Sequence, residues 1–177
     1  MNDTYELRMG EAHIEVHKFR GGAIVFATIV ALLLQTAVPV HFPKFAILDL
    51  PLLLTIYFGL SRRNPSTGLL LGMVIGLLQD SLSGPTVPLG LYGIAKTVIG
   101  YLASSIGSRL DTEHPLARFA LVAAFYVVHQ SVLVLVRRLL LNQPEAWFNM
   151  HLAIASLVNA VLGVVLFVGL DRLRRSS

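Results

Sequence analysis

Asp80 and Lys96 are the two charged residues of one long apolar stretch, "GLLQDSLSGPTVPLGLYGIAK". A third charge, Asp49, lies in the earlier apolar stretch "FAILDLPLLLTIYFGL". A charged side chain at the centre of a lipid bilayer costs about 2.5 to 3.5 kcal/mol, so each charge should be paired or should face the protein interior. We predict that Lys96 forms an ion pair with Asp80 or Asp49 and links helices. The alternative is that these charges form a ligand or proton site.

Asp80 falls near the end of a predicted helix, where the helix dipole disfavours a carboxylate. Asp49 stands just before a predicted helix start, so it can cap that helix. Asp80 stands near a helix end, so capping of its own helix does not explain it. We therefore expect Asp80 to need a donor, and Lys96 is the nearest candidate in the sequence. Other polar residues fall at a comparable depth and are expected to form interhelical hydrogen bonds or, together, a shallow outer pocket. The predicted buried polar cluster is Asp49, Asp80, Lys96, His129 and Asn159, with Gln35 and Gln130 at similar depth.

Recognisable catalytic motifs are missing from the sequence. It contains no G-x-S-x-G elbow, phosphate-binding loop or H-E-x-x-H motif. With no cysteine, it can form neither a disulfide framework nor a thiolate metal site. His13 and His17 have the spacing of two ligands on a helix face, but a third ligand is missing and a solvated tail is the favoured interpretation. The sequence therefore predicts a protein that is not an enzyme and that uses no cofactor or metal.

The composition is that of a membrane protein. Of 177 residues, 55% are hydrophobic and only 14% are charged, and the mean hydropathy is +0.70. The net charge of +4 comes without an interleaved aromatic patch, so we expect no nucleic-acid partner. We predict an all-α fold, a compact bundle of six transmembrane helices over residues 21–175 that contacts membrane lipids, after a polar tail at 1–20. The predicted spans are about 21–40, 45–60, 66–83, 88–108, 116–136 and 151–170.

The distribution of basic residues predicts the orientation of the chain. Lys and Arg concentrate in the N-terminal tail, in the 61–65 and 109–118 connections and at the C-terminus. Short loops rich in Lys and Arg stay on the cytoplasmic side. We therefore expect both termini in the cytoplasm, and Asp49, Asp80 and Lys96 in the outer half of the membrane.

Two stripes of small residues indicate close helix packing. Residues at steps of four drift slowly around a helix and form a groove that another helix backbone can approach. The favoured interpretation is packing between helices of this chain, and the alternative is docking of a partner's helix. The stripes are Gly68, Gly72 and Gly76 in the third span, and Ala23, Ala27 and Ala31 in the first.

Two stretches of the chain resemble the rod shape-determining protein MreD family. They are "LDLPLLLTIYFGLSRR" and "GLLLGMVIGLLQDSLSGPTVPLGLYGIAKTVIGYLAS". In that family an Asp and a Pro open the second span, here Asp49 and Pro51, and a Gly-rich third span ends in an Asp, here Asp80. The resemblance implies a non-enzymatic component of the bacterial elongation machinery in the inner membrane. It implies binding to MreC, and association with MreB, RodA and the class B penicillin-binding transpeptidase, in support of lateral peptidoglycan synthesis.

The layout is also similar to the S components of energy-coupling-factor transporters. These are six-helix proteins with an outward-facing pocket. That similarity suits the alanine stripe and the outer polar residues, and it gives the alternative function of a small-solute binding subunit. A lipid-handling membrane protein is a third class that fits the same features.

Overall fold

A computed structural model describes residues 21–62, 64–85, 87–109, 114–144 and 146–172. These residues form six α-helices and no strand, which confirms the predicted all-α bundle. The polar tail at 1–20 lies outside the described residues. The helices are α1 Gly21–His41, α2 Leu50–Arg62, α3 Pro65–Leu82, α4 Leu91–Gly107, α5 Pro115–Leu140 and α6 Met150–Asp171, and a short 3-10 helix, Pro43–Ile47, precedes α2.

Side-chain caps fix where several helices begin. Asn64 accepts hydrogen bonds from the backbone nitrogen of Ser66, at 3.1 Å, and from that of Thr67. Pro65 occupies the first position of α3, where its missing N–H is not needed. Asn149 caps α6 in the same way by accepting from the nitrogen of Leu152. Asn64 with Pro65, and Asn149, therefore mark the starts of α3 and α6 in the sequence itself.

The α-helix of the second span begins at Leu50, directly after Asp49 as predicted, and the residues before it form the 3-10 helix. Two other helix ends differ from the predicted spans by several residues. The fourth begins at Leu91, because the chain turns through Gly90 with a φ of 98°, a conformation that favours glycine. The fifth continues to Leu140, and Arg137 and Arg138 lie in its last turn, where the helix dipole favours positive charge.

The centre of the bundle is α2. Every residue from 51 to 60 is buried, and α2 contacts each of the other five helices. Aromatic rings fill the space towards α6, where the centroids of Tyr57 and Phe167 lie 5.0 Å apart. The surrounding helices thus shield α2, which explains why this helix can carry a capping aspartate that is itself buried.

Exposed apolar side chains cover the outside of the bundle. Phe26, Leu33 and Val165 are 70%, 58% and 64% exposed, and such a surface suits contact with lipid. Four helical segments of the described residues are long and apolar enough to cross a membrane: Gly22–His41, Pro43–Arg62, Pro115–Leu140 and Met150–Asp171. The shorter helices α3 and α4, of 18 and 17 residues, carry the polar residues of the third and fourth predicted spans. The chain is a membrane protein, and the crossing of α3 and α4 stays a prediction.

Candidate functional site

Lys96 and Asp49 form an ion pair inside the bundle. Lys96 Nζ lies 3.0 Å from Asp49 Oδ2, the Lys96 side chain is fully buried, and that of Asp49 is 12% exposed. The second carboxylate oxygen, Oδ1, accepts a hydrogen bond of 2.9 Å from the backbone nitrogen of Leu52. Asp49 therefore caps α2 with one oxygen and binds the ammonium of α4 with the other. Of the two partners predicted for Lys96, the structure pairs it with Asp49.

His129 and Tyr92 complete the surroundings of the Lys96 ammonium. His129 Nε2 lies 3.4 Å from Nζ, and the Tyr92 ring centroid lies 5.1 Å from it. The imidazole and the Tyr92 ring are stacked, with an interplanar angle of 9°. An ammonium only donates hydrogen bonds, so His129 Nε2 serves as the acceptor in this contact and the ring proton is carried by Nδ1. That Nδ1 is buried and has no hydrogen-bond partner among the described residues.

Asn159 of α6 holds the backbone around Asp49. Its Oδ1 accepts a hydrogen bond of 2.9 Å from the nitrogen of Asp49, and its Nδ2 donates to the oxygen of Ile47 at 2.8 Å. Nδ2 also donates to the oxygen of Ala155 in α6, so the amide is anchored to its own helix. The side chain is fully buried. Asn159 therefore satisfies backbone groups that the break between the 3-10 helix and α2 leaves unpaired.

Gln35 of α1 forms hydrogen bonds with the same backbone segment, but with different residues from those that Asn159 contacts. Its Nε2 donates to the oxygen of Leu48 at 2.9 Å, and its Oε1 accepts from the nitrogen of Leu50 at 3.0 Å. The two amides thus bind alternate residues of the 47–50 segment, each through one donor and one acceptor. We call Gln35, Asp49, Lys96, His129 and Asn159 the polar junction; it joins α1, α2, α4, α5 and α6.

Asp80 lies apart from the polar junction, and the expectation that Lys96 is its donor is wrong. Its carboxylate accepts hydrogen bonds of 2.9 to 3.0 Å from the backbone nitrogens of Gly90, Tyr92 and Gly93. Asp80 is 3% exposed. It lies in the last turn of α3 but caps the beginning of α4, because the chain between these helices folds back on the carboxylate. The positive end of the α4 dipole therefore favours its charge, although the end of α3 disfavours it.

The polar junction is built for holding helices together. Charges removed from water are stable when they are paired and their remaining hydrogen-bonding groups are satisfied. Here both carboxylate oxygens of Asp49 and the ammonium of Lys96 have partners within the bundle. Among the described residues, no group of three or more His, Asp or Glu side chains is placed to hold a metal ion. The predicted pair His13 and His17 lies outside the described residues.

A comparison with protein-family models decides the family. The model of the rod shape-determining protein MreD matches residues 18–176, which is nearly the whole chain. The chain belongs to the MreD family. Its role is accordingly in rod shape determination. No curated protein and no solved structure matches the chain, so the similarity to transporter S components stays a prediction.

In this MreD-family chain, the glycine stripe packs against α4. A Cβ atom added at Gly68, Gly72 or Gly76 would overlap the backbone of α4, at Gly100, Lys96 and Tyr92 respectively. The contact between α3 and α4 is the most extensive between any two helices. The stripe therefore serves packing within the chain, the favoured of its two interpretations, and it fixes the height of Lys96 against α3.

The alanine stripe lies at an open groove. Ala23, Ala27 and Ala31 line a cavity of about 510 Å³ whose other walls come from α2 and α6, including Leu54 and Leu166. Ala31 is buried, and the other two alanines are partly buried. In the described residues the backbones of α1 and α6 do not approach each other closely. The stripe is therefore only partly used in packing within the chain.

A second polar link, at the cytoplasmic end of the predicted topology, was not predicted. Arg118 of α5 forms an ion pair with Asp171 of α6, and the hydroxyl of Tyr57 donates to the same carboxylate at 2.9 Å. Arg118 is buried and its guanidinium lies 5.9 Å from the ring of Phe167. Its place in the 109–118 connection predicted a loop charge that sets the orientation. The sequence did carry a signal for this ion pair, because it places a basic and an acidic residue at the same predicted membrane face.

Proposed function

We propose that this MreD-family protein is a non-enzymatic component of the bacterial elongation machinery that binds MreC in the inner membrane. Through MreC it would join MreB, RodA and the class B penicillin-binding transpeptidase, and support lateral peptidoglycan synthesis. The family match to a rod shape-determining protein supports the proposal.

The polar junction is the observation that carries a scaffold function. Its charges and amides bond to one another and to backbone groups, and they join five helices. Groups engaged in this way are not offered to a substrate. Close backbone packing between α3 and α4 adds rigidity. Both features favour a rigid bundle over a site for chemistry.

Co-purification from membranes tests the proposal. The tagged chain should bring down the MreC of the same bacterium, and depletion of the chain should turn rod-shaped cells round. A membrane protein of similar size with the same tag is the control for nonspecific capture. If the chain instead brings down an ATPase with its membrane subunit, and depletion leaves the rods intact, the transporter-subunit alternative replaces the scaffold.

The proposed orientation places both termini and the 61–65 connection, which Ser66 directly follows, in the cytoplasm, and the connection between the fifth and sixth spans outside. The sequence has no cysteine, so single cysteines can be introduced without background. With intact cells, or with spheroplasts where an outer membrane is present, a membrane-impermeant maleimide should label the exposed Gln143→Cys variant. The exposed Ser66→Cys variant should react only after the membrane is opened. The reverse pattern would invert the topology.

A further inference from the structure

A cleft runs between α5 and α6 at the end of the bundle that carries Arg137. It has a volume of about 250 Å³, and Tyr126, Gln130 and Val134 line it along one face of α5. Eight residues of helix correspond to about 12 Å, so the cleft extends over about that length of α5. Its volume is just below the range of about 300 to 1,000 Å³ for pockets that hold drug-sized ligands. The cleft therefore suits a small ligand.

Aromatic and uncharged polar side chains line the cleft. Trp147, Asn149 and His151, from the end of the 146–149 segment and the start of α6, form another wall of the cleft. The hydroxyl of Tyr126, a residue only 4% exposed, accepts a hydrogen bond of 3.3 Å from Gln130 Nε2. A hydroxyl that accepts in this way can still donate its own proton, and the Gln130 oxygen can still accept. The described lining residues include no Asp, Glu, Lys or Arg.

We propose that this cleft binds a neutral, hydroxyl-bearing ring, that is, a sugar, either free or as the headgroup of a glycolipid. Sugar hydroxyls both donate and accept, which matches the amide and hydroxyl groups of Gln130 and Tyr126. The ring carbons of a sugar offer an apolar face to the indole of Trp147. A charged ligand would enter the cleft without a counter-charge on its described lining. A purely apolar ligand would offer no partner to the Tyr126 hydroxyl proton or to the Gln130 amide oxygen.

Arg138 positions the aromatic wall from outside the cleft. Its guanidinium carbon lies 5.2 Å from the centroid of the Trp147 ring, a cation–π contact that restrains the indole. Trp147 is also the single tryptophan of the sequence. Its fluorescence therefore reports on this cleft and on no other part of the chain.

The test uses the full chain reconstituted in phosphatidylcholine vesicles. Maltose is titrated as the free sugar, and digalactosyl diacylglycerol is added to the vesicles as the neutral glycolipid. We expect a saturable change in Trp147 emission with at least one of them. Tyr126→Phe and Gln130→Leu should each weaken the apparent affinity at least tenfold. Gln79→Leu is the matched control, because Gln79 lines a different cavity, between α1 and α3.

The outcomes separate the two sources of the sugar and the competing chemistry. A response to maltose assigns the cleft to free sugars, whereas a response to the glycolipid alone assigns it to a headgroup. No saturable change with either probe would overturn the proposal. An equal response to phosphatidylserine would also overturn it, because the ligand would then be anionic. Since Tyr126→Phe removes only a hydroxyl, an unchanged affinity in this variant and in Gln130→Leu contradicts the assignment as well.

Discussion

Asp49 and Asp80 are both buried and both cap a helix, yet among the described residues only Asp49 has a cationic partner. Three backbone nitrogens at the start of α4 donate to Asp80, and none of these hydrogen bonds comes from a charged group. A single backbone nitrogen of α2 donates to Asp49, and Lys96 supplies the remaining contact. The aspartate with three backbone donors thus has no counter-charge, and the aspartate with one backbone donor has a lysine partner.

The comparison also separates two kinds of helix connection. Asp80 stabilises a local hairpin, because its donors lie only 10 to 13 residues further along the chain. Asp49 and its partners join residues up to 112 positions apart. Loss of the Asp80 contacts should therefore affect the α3–α4 hairpin, whereas loss of the polar junction should loosen the whole bundle.

Lys96→Met is expected to have the largest effect. It leaves the Asp49 carboxylate buried without its counter-charge, and breaking one side of a buried ion pair costs about 3 to 5 kcal/mol. The free energy of unfolding, measured by titration with sodium dodecyl sulfate in mixed micelles, should fall by that amount. Lys44→Met, at an exposed residue of the 3-10 helix, should change it by less than about 0.5 kcal/mol. Equal stability of the two variants would show that Asp49 does not depend on Lys96.

Gly72→Ala should be the next most damaging change. The added Cβ would overlap the carbonyl group of Lys96, so α3 and α4 would have to move apart. Overpacking of this kind costs about 1 to 3 kcal/mol, and the movement would displace both Lys96 and the turn that Asp80 caps. The same unfolding titration measures this loss of stability. Gly22→Ala, with nothing within 4 Å of the added atom, is the control and should not lower the stability, because alanine has a higher helix propensity than glycine.

The helices and the two candidate partners of Lys96 were accessible from the sequence for physical reasons. Long apolar segments predict helices in a bilayer, and an Asp two residues before a Pro predicts a cap. Lys96 had only two acidic candidates in the apolar stretches, Asp49 and Asp80. Selecting between them needed the fold, because the spacing along the chain favours Asp80 and the helix packing favours Asp49.

The role of Asp80 was missed because its position was judged from α3 alone. The carboxylate acts on the next helix, which requires the chain to turn back through Gly90 at the start of α4. A signal existed: α4 begins after a glycine that cannot cap with a side chain, so its first N–H groups need an acceptor from elsewhere. The pairing of Arg118 with Asp171 depends on residues 53 positions apart, and only the packing of α5 on α6 brings them together.

Asp80→Asn should have a smaller effect than the same change at Asp49. An asparagine at position 80 keeps one oxygen that can accept from the α4 backbone, so we expect a loss of about 1 kcal/mol, in the range of weakened helix caps. Asp49→Asn leaves the Lys96 ammonium buried without a counter-charge and should cost several times more. Unfolding titrations of the two variants, made side by side, measure the difference. If the free energy of unfolding falls equally in both variants, the backbone donors around Asp80 do not stabilise its charge in place of a cation.

The double variant Asp49→Asn with Lys96→Met should have the smallest net effect of the series. It removes both charges together, and replacement of a complete buried ion pair by neutral groups is often close to neutral. The α2 cap is kept, because the amide oxygen introduced at position 49 can still accept from the nitrogen of Leu52, as Asp49 Oδ1 does. We expect the double variant to lie within about 1 kcal/mol of the unchanged protein, and the double-mutant cycle to give a large coupling energy. Additive losses from the two single variants would instead mean that Asp49 and Lys96 stabilise the bundle independently of each other.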